Sequence, residues 1–225
     1  MFSPYGERIA PLRVIDPTGL YHVMSRGNFH ATIFLDERHY SKYLELLTRV
    51  AKRRDWCVLD WCLIPNHYHL LIQLTNDGLS DGMRELNGCF SRWSNLQTSR
   101  TRTGHVLKNR FGSVEVVDEG HLFELIRYIP NNPVKANLVQ RPEDWPWSGF
   151  RATTGIDYPH PFHRPAKLLA YFGPIGGEAL RRYRAFVHDG RLPIMDRDLA
   201  KPSVTSSPSE GPVPTGRHLV RPSVT

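Results

Sequence analysis

The chain is expected to fold as an α+β protein of the ferredoxin-like type, a split β-α-β antiparallel sheet with helices on one face. Three observations lead there. Apolar runs with strand character at residues 19–25, 56–74 and 111–117 alternate with helical periodicity at 36–54 and 81–97. The middle run folds back at Pro65-Asn66, which makes it a hairpin and gives the order β-α-β-β-α-β. A further amphipathic stretch follows the last strand, and beyond residue 145 the composition changes.

In the first strand Tyr21, Val23 and Ser25 fall on one face and Leu20, His22 and Met24 on the other. Arg26-Gly27-Asn28 then turns the chain. Asp36 is the expected N-cap of a helix reaching Arg54, whose Tyr40, Tyr43, Leu44, Leu47 and Val50 recur at helical spacing and face a core. Residues 56–64 and 68–74 form the hairpin, and Thr75-Asn76-Asp77-Gly78 is a turn. The helix at 81–97 carries Met83, Leu86, Phe90 and Trp93 inward and leaves Arg84 and Arg92 in water. A basic, glycine-containing segment from Arg100 to Arg110 leads into the strand at 111–117. Asp118 or Glu119 opens a third helix with the stripe Leu122, Leu125, Ile126 and Ile129. Pro130 and Pro133 end or kink it just after Tyr128, because proline lacks an N–H and clashes with the preceding turn. Pro133 restarts a short helix to about Leu138.

This order divides the chain into an arm at 1–17, a main domain at 18–150, a basic helical extension at 151–190 and a tail at 191–225. The extension holds candidate helices at 164–172 and 176–188. The tail is rich in Pro, Ser, Thr and Gly, cannot bury enough apolar surface to offset chain entropy, and is expected to be disordered.

At 225 residues the chain can bury a real core, and its net charge of +7 favours a polyanionic partner. Nucleic acid is the foremost class, with an anionic membrane surface as the alternative. No apolar run approaches the roughly 20 residues of a membrane span, and the first residues lack a signal-peptide pattern. The odd count of three cysteines, Cys57, Cys62 and Cys89, reads as reduced thiols of a cytoplasmic protein.

Two constellations carry chemistry. His67 and His69 stand two apart at the start of a strand and point to one face, with Tyr68 on the other. They read either as half of a metal site or as one solvated and one satisfied sheet histidine. Tyr128 and Asn132 stand four apart and share a face if helical geometry persists. Tyr128 reads either as a packing residue or as a nucleophile toward a phosphodiester. A divalent ion on the phosphate would assist that attack, held by two imidazoles and one amide oxygen with positions left for phosphate and water. Such a set accepts Mg²⁺ or Mn²⁺, and zinc would bind His67 and His69 unproductively.

Three segments in order, Pro65-Asn66-His67-Tyr68-His69-Leu70-Leu71, Gly104-His105-Val106-Leu107-Lys108-Asn109-Arg110-Phe111 and Arg127-Tyr128-Ile129-Pro130-Asn131-Asn132-Pro133-Val134-Lys135-Ala136, resemble the single-tyrosine HUH transposases of bacterial insertion sequences. The closer likeness is to the REP-associated tyrosine transposases, and it spans residues 20–150. The resemblance implies a nuclease and strand transferase that cuts single-stranded DNA at the edge of a hairpin and forms a 5′-phosphotyrosine. It matches Tyr128 to the nucleophile, His67 and His69 to the metal-binding pair, and Asn132 to the third ligand. Two positions depart from the pattern: Lys135 stands where arginine is usual, and Pro130 falls two residues after the nucleophile.

Arg26, Arg92, Arg100, Arg102, Lys108, Arg110 and Lys135 are the candidate phosphate contacts, with Trp93, His105 and Phe111 interleaved as core or base-stacking residues. Arg181 and Arg182 either grip a duplex stem or form an exposed basic face. The competing readings are a non-catalytic hairpin-DNA-binding descendant and a zinc protein using Cys62, His67 and His69. The implied assembly is a monomer or a homodimer in the cytoplasm, close to the nucleoid.

Overall fold

A computed structural model of the chain describes residues 15–97, 106–108 and 110–190, and there the alternating runs become a four-stranded sheet in the order β2-β3-β1-β4. The strands are β1 (Leu20–Arg26), β2 (Cys57–Ile64), β3 (His67–Gln73) and β4 (Gly112–Glu115), and each neighbouring pair is antiparallel. Helix α1 (Glu37–Arg54) carries the chain from β1 to β2, and α2 (Leu79–Gln97) from β3 to β4. That is the split β-α-β topology the sequence predicts. The fourth strand is shorter than 111–117, because Phe111 turns into the core before it and Val117 stands exposed beyond it. The 1–17 arm up to residue 14, the 191–225 tail, Arg100, Arg102 and His105 lie outside the described residues.

Local chemistry fixes the helix starts. Asp36 caps α1 by accepting the His39 amide, and Asp118 caps α3 (Glu119–Tyr128) by accepting the His121 amide at 2.8 Å. Each cap satisfies a donor that the helix itself leaves open, worth about 1 kcal/mol.

Register sorts the side chains into two cores. Met24 faces His69 and Arg26 faces His67 across β1 and β3; Cys62 and Ile64 face the same pair across β2 and β3. Cross-strand partners share a face, so His22, Met24, Arg26, Cys62 and Ile64 stand with the imidazoles. The opposite face, with Tyr21, Val23, Tyr68, Leu70 and Ile72, packs beneath α1 and α2. There the buried Tyr68 hydroxyl donates to Asn87 Oδ1 of α2 at 2.8 Å.

The imidazole face is roofed farther along by α3 and by three later helices, α5 (Gly149–Thr153), α6 (Pro165–Leu169) and α7 (Gly177–Asp189). Leu71, Cys62 and Ile64 meet Ile126 and Ile129 there, and Phe150, Leu168, Phe172, Tyr183 and Phe186 complete the cluster. The later segment also covers the outer edge of β2. Leu63 donates its amide to the Trp147 carbonyl, Arg164 to the Val58 carbonyl, and the Trp145 indole donates to the Leu63 carbonyl, all at 2.9 Å. An uncovered edge would be a template for pairing with other chains. Among the described residues no helix is long and apolar enough to cross a membrane.

Candidate active site

The β2–β3 turn delivers His67 and His69 at the open end of the second face, and α3 ends beside them. The two imidazole centroids are 5.0 Å apart with their planes at 88°. The Tyr128 ring stands edge-on to His69, 5.2 Å between centroids. Tyr128 is partly buried, and the Lys135 ammonium lies 4.5 Å from the centre of its ring.

Asn132 reaches the same place because of how α3 stops. Pro130 has no amide hydrogen to give to the fourth residue back, so the helical ladder fails, and the Asn132 backbone amide bonds to the Ile129 carbonyl in a tight turn. The Tyr128 carbonyl is taken instead by Asn132 Nδ2, at 2.9 Å. With the amide nitrogen engaged, the amide oxygen is the atom left to act on the imidazoles. Asn132 lies close enough to both imidazoles to favour their charged forms, an effect smaller than that of burial. The short helix α4 (Asn132–Lys135) then carries Lys135 back over Tyr128.

Each imidazole is held by a neighbour on its inner nitrogen. His67 Nδ1 lies 2.7 Å from Asn66 Oδ1. His69 Nδ1 lies 2.9 Å from Nε2 of His22, a β1 residue whose ring stacks on it at 5.1 Å. Burial, followed by the positive charge of Arg26, lowers the pKa of His67. Burial and then His22, His67 and Arg26 push His69 well below the usual histidine range. Burial, with a smaller effect of His121, lowers His22 to about 4. All three rings are therefore neutral near pH 7, the state in which an imidazole nitrogen can bind a cation. His69 Nε2 is buried with no hydrogen-bond partner.

These observations test the fit to a divalent ion. The candidate donors are two neutral imidazoles and an amide oxygen, and the orphaned His69 Nε2 is the kind of buried atom that a cation would satisfy. Among the described residues no group of three or more His, Cys, Asp or Glu side chains is arranged to hold a metal ion by itself. Cys62 neighbours His69 across the strands but does not complete such a cluster, and burial raises its thiol pKa well above the ordinary value.

The remaining candidates divide. Arg26 projects from the imidazole face opposite His67, and its carbonyl accepts the Lys108 amide, so Arg26 and the Lys108 backbone meet at the end of β1. Arg110 is exposed just before β4. Arg92 is on α2, across the sheet from the imidazoles, so the structure does not bring it to the site. Trp93 is partly buried against the first core and Phe111 lies within it. Arg181 and Arg182 sit on α7, and both pair with Glu178, a single carboxylate that leaves the group one net positive charge. The sequence reading missed His22. Its available signal was that it shares a strand face with Met24 and Arg26, but only the β1–β3 register brings it to His69.

A family profile described as "Transposase IS200 like" matches residues 18–132, a span that includes the imidazole pair, Tyr128 and Asn132. A Haemophilus influenzae protein assigned as a REP-associated tyrosine transposase is 31% identical over 98 residues, which are 40% of this chain and 56% of that one. The match thus spans about half the length of that relative. The structure of a REP-associated tyrosine transposase bound to a REP hairpin superposes with a TM-score of 0.56 and 20% identity, covering 65% of this chain and 85% of the other, a likeness of fold. The profile takes in more than half of the sequence and reaches from the first strand to the last residue of the site, and by that measure the chain belongs to the IS200-like transposase family.

Proposed function

We propose that the chain is a metal-dependent tyrosine endonuclease and strand transferase acting on single-stranded DNA beside a hairpin. The observation that carries the reading is the convergence of Tyr128 on His69, with Asn132 bonded to the Tyr128 carbonyl beside them. The hairpin substrate is suggested by the solved relative bound to a REP hairpin and by the net charge of +7.

In the proposed reaction the Tyr128 hydroxyl attacks phosphorus and gives up its proton to water. A bond forms between its oxygen and phosphorus, and the bond from phosphorus to the 3′ oxygen breaks. The departing oxygen takes up a proton to become a 3′-hydroxyl, and the 5′ phosphate remains esterified to Tyr128. Attack of a 3′-hydroxyl on that ester reverses the chemistry and joins strands. His67, His69 and Asn132 would hold Mg²⁺ or Mn²⁺, which supplies charge stabilisation at the phosphoryl oxygens. Lys135 adds a positive charge over the Tyr128 ring, and Arg26 adds one opposite His67. Lys108 and Arg110 are proposed as strand contacts leading to the site, as are Arg100 and Arg102 on the segment before them. Arg181 and Arg182 would contact the duplex stem.

The working unit is proposed to be a monomer or a homodimer. The nuclease is assigned to residues 18–150, and the extension at 151–190 serves as a brace for α3 and the β2 edge.

The test uses labelled single-stranded hairpin oligonucleotides copied from DNA flanking the gene, incubated with Mn²⁺ or Mg²⁺ and run on denaturing protein gels. A labelled adduct that disappears with EDTA and with Tyr128→Phe is the expected result. An adduct that survives Tyr128→Phe overturns the nucleophile. Tight binding without an adduct, across hairpins and both metals, identifies a non-catalytic hairpin-binding protein instead.

A further inference from the structure

Beside the site, the turn between β1 and α1 carries a feature that folding does not explain. Phe29 and His30 are adjacent non-glycine residues in the left-handed region, with φ of 50° and 61°. Side chains rarely take that conformation, and two in succession are rarer. Phe29 is 91% exposed, so no core contact holds its ring there. The backbone around it is firmly tied. Gly27 donates to the Asn66 carbonyl at 2.8 Å, Asn28 to Val106 at 3.2 Å, and Ile33 to Pro65 at 2.7 Å. A Cβ on Gly27 would come within 1.9 Å of the Ala31 carbonyl oxygen, so only glycine permits the close passage. The turn therefore presents an aromatic ring to solvent on a rigid, strained support.

At its foot is a hollow of about 220 Å³ lined by His30, Thr32, Ile64, Pro65, Asn66, Ala136 and Leu138. It is smaller than the roughly 300–1,000 Å³ of a drug-sized site, which suits one flat heterocycle. Its walls are apolar at Ile64, Pro65, Ala136 and Leu138 and polar at His30, Thr32 and Asn66. The Arg26 guanidinium reaches His30 Nδ1 at 3.4 Å, which brings positive charge to the rim. Asn66, which lines the hollow, holds His67 Nδ1 through its Oδ1 and so links the hollow to the imidazole side of the site, and Ala136, also on its wall, directly follows Lys135 in the chain.

We infer that this hollow and the Phe29 ring form a subsite for one unpaired nucleotide next to the scissile phosphate, an inference that rests on the nuclease reading for its strand. The base enters the hollow and stacks against Phe29, while its phosphate meets Arg26. The polar edge of the base faces Thr32 and the Asn66 amide. Because Asn66 also holds His67, occupancy couples the identity of that nucleotide to the orientation of a proposed ligand.

The experiment replaces each unpaired base of the hairpin oligonucleotide in turn with an abasic site and measures binding to the full chain by fluorescence anisotropy. At one position the abasic change weakens binding by about tenfold in the wild type and has no further effect in Phe29→Ala. Phe29→Trp restores the sensitivity, since a larger ring still stacks. Phe29→Ala is safe for folding because the ring is exposed. An abasic penalty equal in the wild type and Phe29→Ala at every position overturns the subsite, as does a hairpin that binds with no sensitive unpaired base. Adduct formation is read separately in the same samples: its failure with a Phe29-dependent position intact would defeat the nuclease reading and leave the subsite standing.

Discussion

Replacing His22 with leucine should loosen the hold of the site on a divalent ion while leaving the fold in place. His22 and His69 are 5% and 4% exposed, and Nε2 of the one lies 2.9 Å from Nδ1 of the other. One proton occupies that contact. If His69 Nδ1 carries it, His69 Nε2 keeps its lone pair and can bind a cation; if His22 Nε2 carries it, the His69 proton sits on Nε2 and blocks binding. Burial, which lowers His22 to about 4, keeps its ring neutral, so its Nε2 has a lone pair to offer when His69 Nδ1 carries the proton. Leucine removes the acceptor and strands a buried His69 Nδ1, a loss of about 1–3 kcal/mol that the added apolar surface partly offsets. Removing such an outer partner of a ligating histidine typically lowers metal affinity about 10–100-fold. Calorimetric titration of the full chain with Mn²⁺ measures this directly, and urea denaturation of the same sample reports whether the fold survives. His22→Gln, which retains an acceptor oxygen, should recover part of the affinity. Equal Mn²⁺ affinity in wild type and His22→Leu, at equal stability, would refute the tautomer argument.

Asn132→Ala should lower adduct yield by about a hundredfold with hairpin affinity unchanged, because it removes both an oxygen donor and the bond to the Tyr128 carbonyl; loss of binding in parallel with adduct would instead make Asn132 a DNA contact. Asp60→Asn should flatten the pH dependence of stability between pH 6.5 and 8. Asp60 is fully buried, and desolvation raises it to about 8, so it contributes stability below pH 3.8 that is lost as pH rises toward 8. His163, lowered to about 4 mainly by burial, works the other way and costs stability as pH falls from 6.5 to 4. Above pH 6.5 only the Asp60 effect of this pair remains, about 2 kcal/mol, which urea denaturation at the two pH values resolves; an unchanged slope in Asp60→Asn would rule it out.

The site was legible where local spacing decides geometry. Two residues of separation on a strand put His67 and His69 on one face, whereas Tyr128 and Asn132, four apart, meet through the turn that interrupts the helix at Pro130 and the side-chain bond across it. What a single stretch cannot encode is which layer an element joins. Arg92 has the composition of a strand-binding residue, yet α2 packs under Tyr68 and Leu70, across the sheet from the imidazoles. His22 looked like one alternating residue of β1 until register paired β1 with β3. The later helices read as an accessory because their apolar residues are scattered: Phe150, Leu168, Phe172, Tyr183 and Phe186 make one surface only after four turns of chain have been folded together.

Pro130 shows why a broken local rule need not break a site. A proline two residues after the proposed nucleophile denies a hydrogen bond to the turn that carries it, and sequence reasoning takes this as a threat to geometry. The break is also what frees the Asn132 backbone from the helical ladder, since its amide turns to Ile129 and leaves the Tyr128 carbonyl open. The Asn132 side chain fills that vacancy with its nitrogen, and in doing so fixes which end of the amide acts on His67 and His69. A continuous helix would satisfy the Tyr128 carbonyl by backbone and leave the Asn132 amide free to rotate. The interruption thus converts a side chain with two interchangeable ends into one with a defined oxygen, at the cost of about one backbone hydrogen bond, roughly 1 kcal/mol, which the side-chain bond returns.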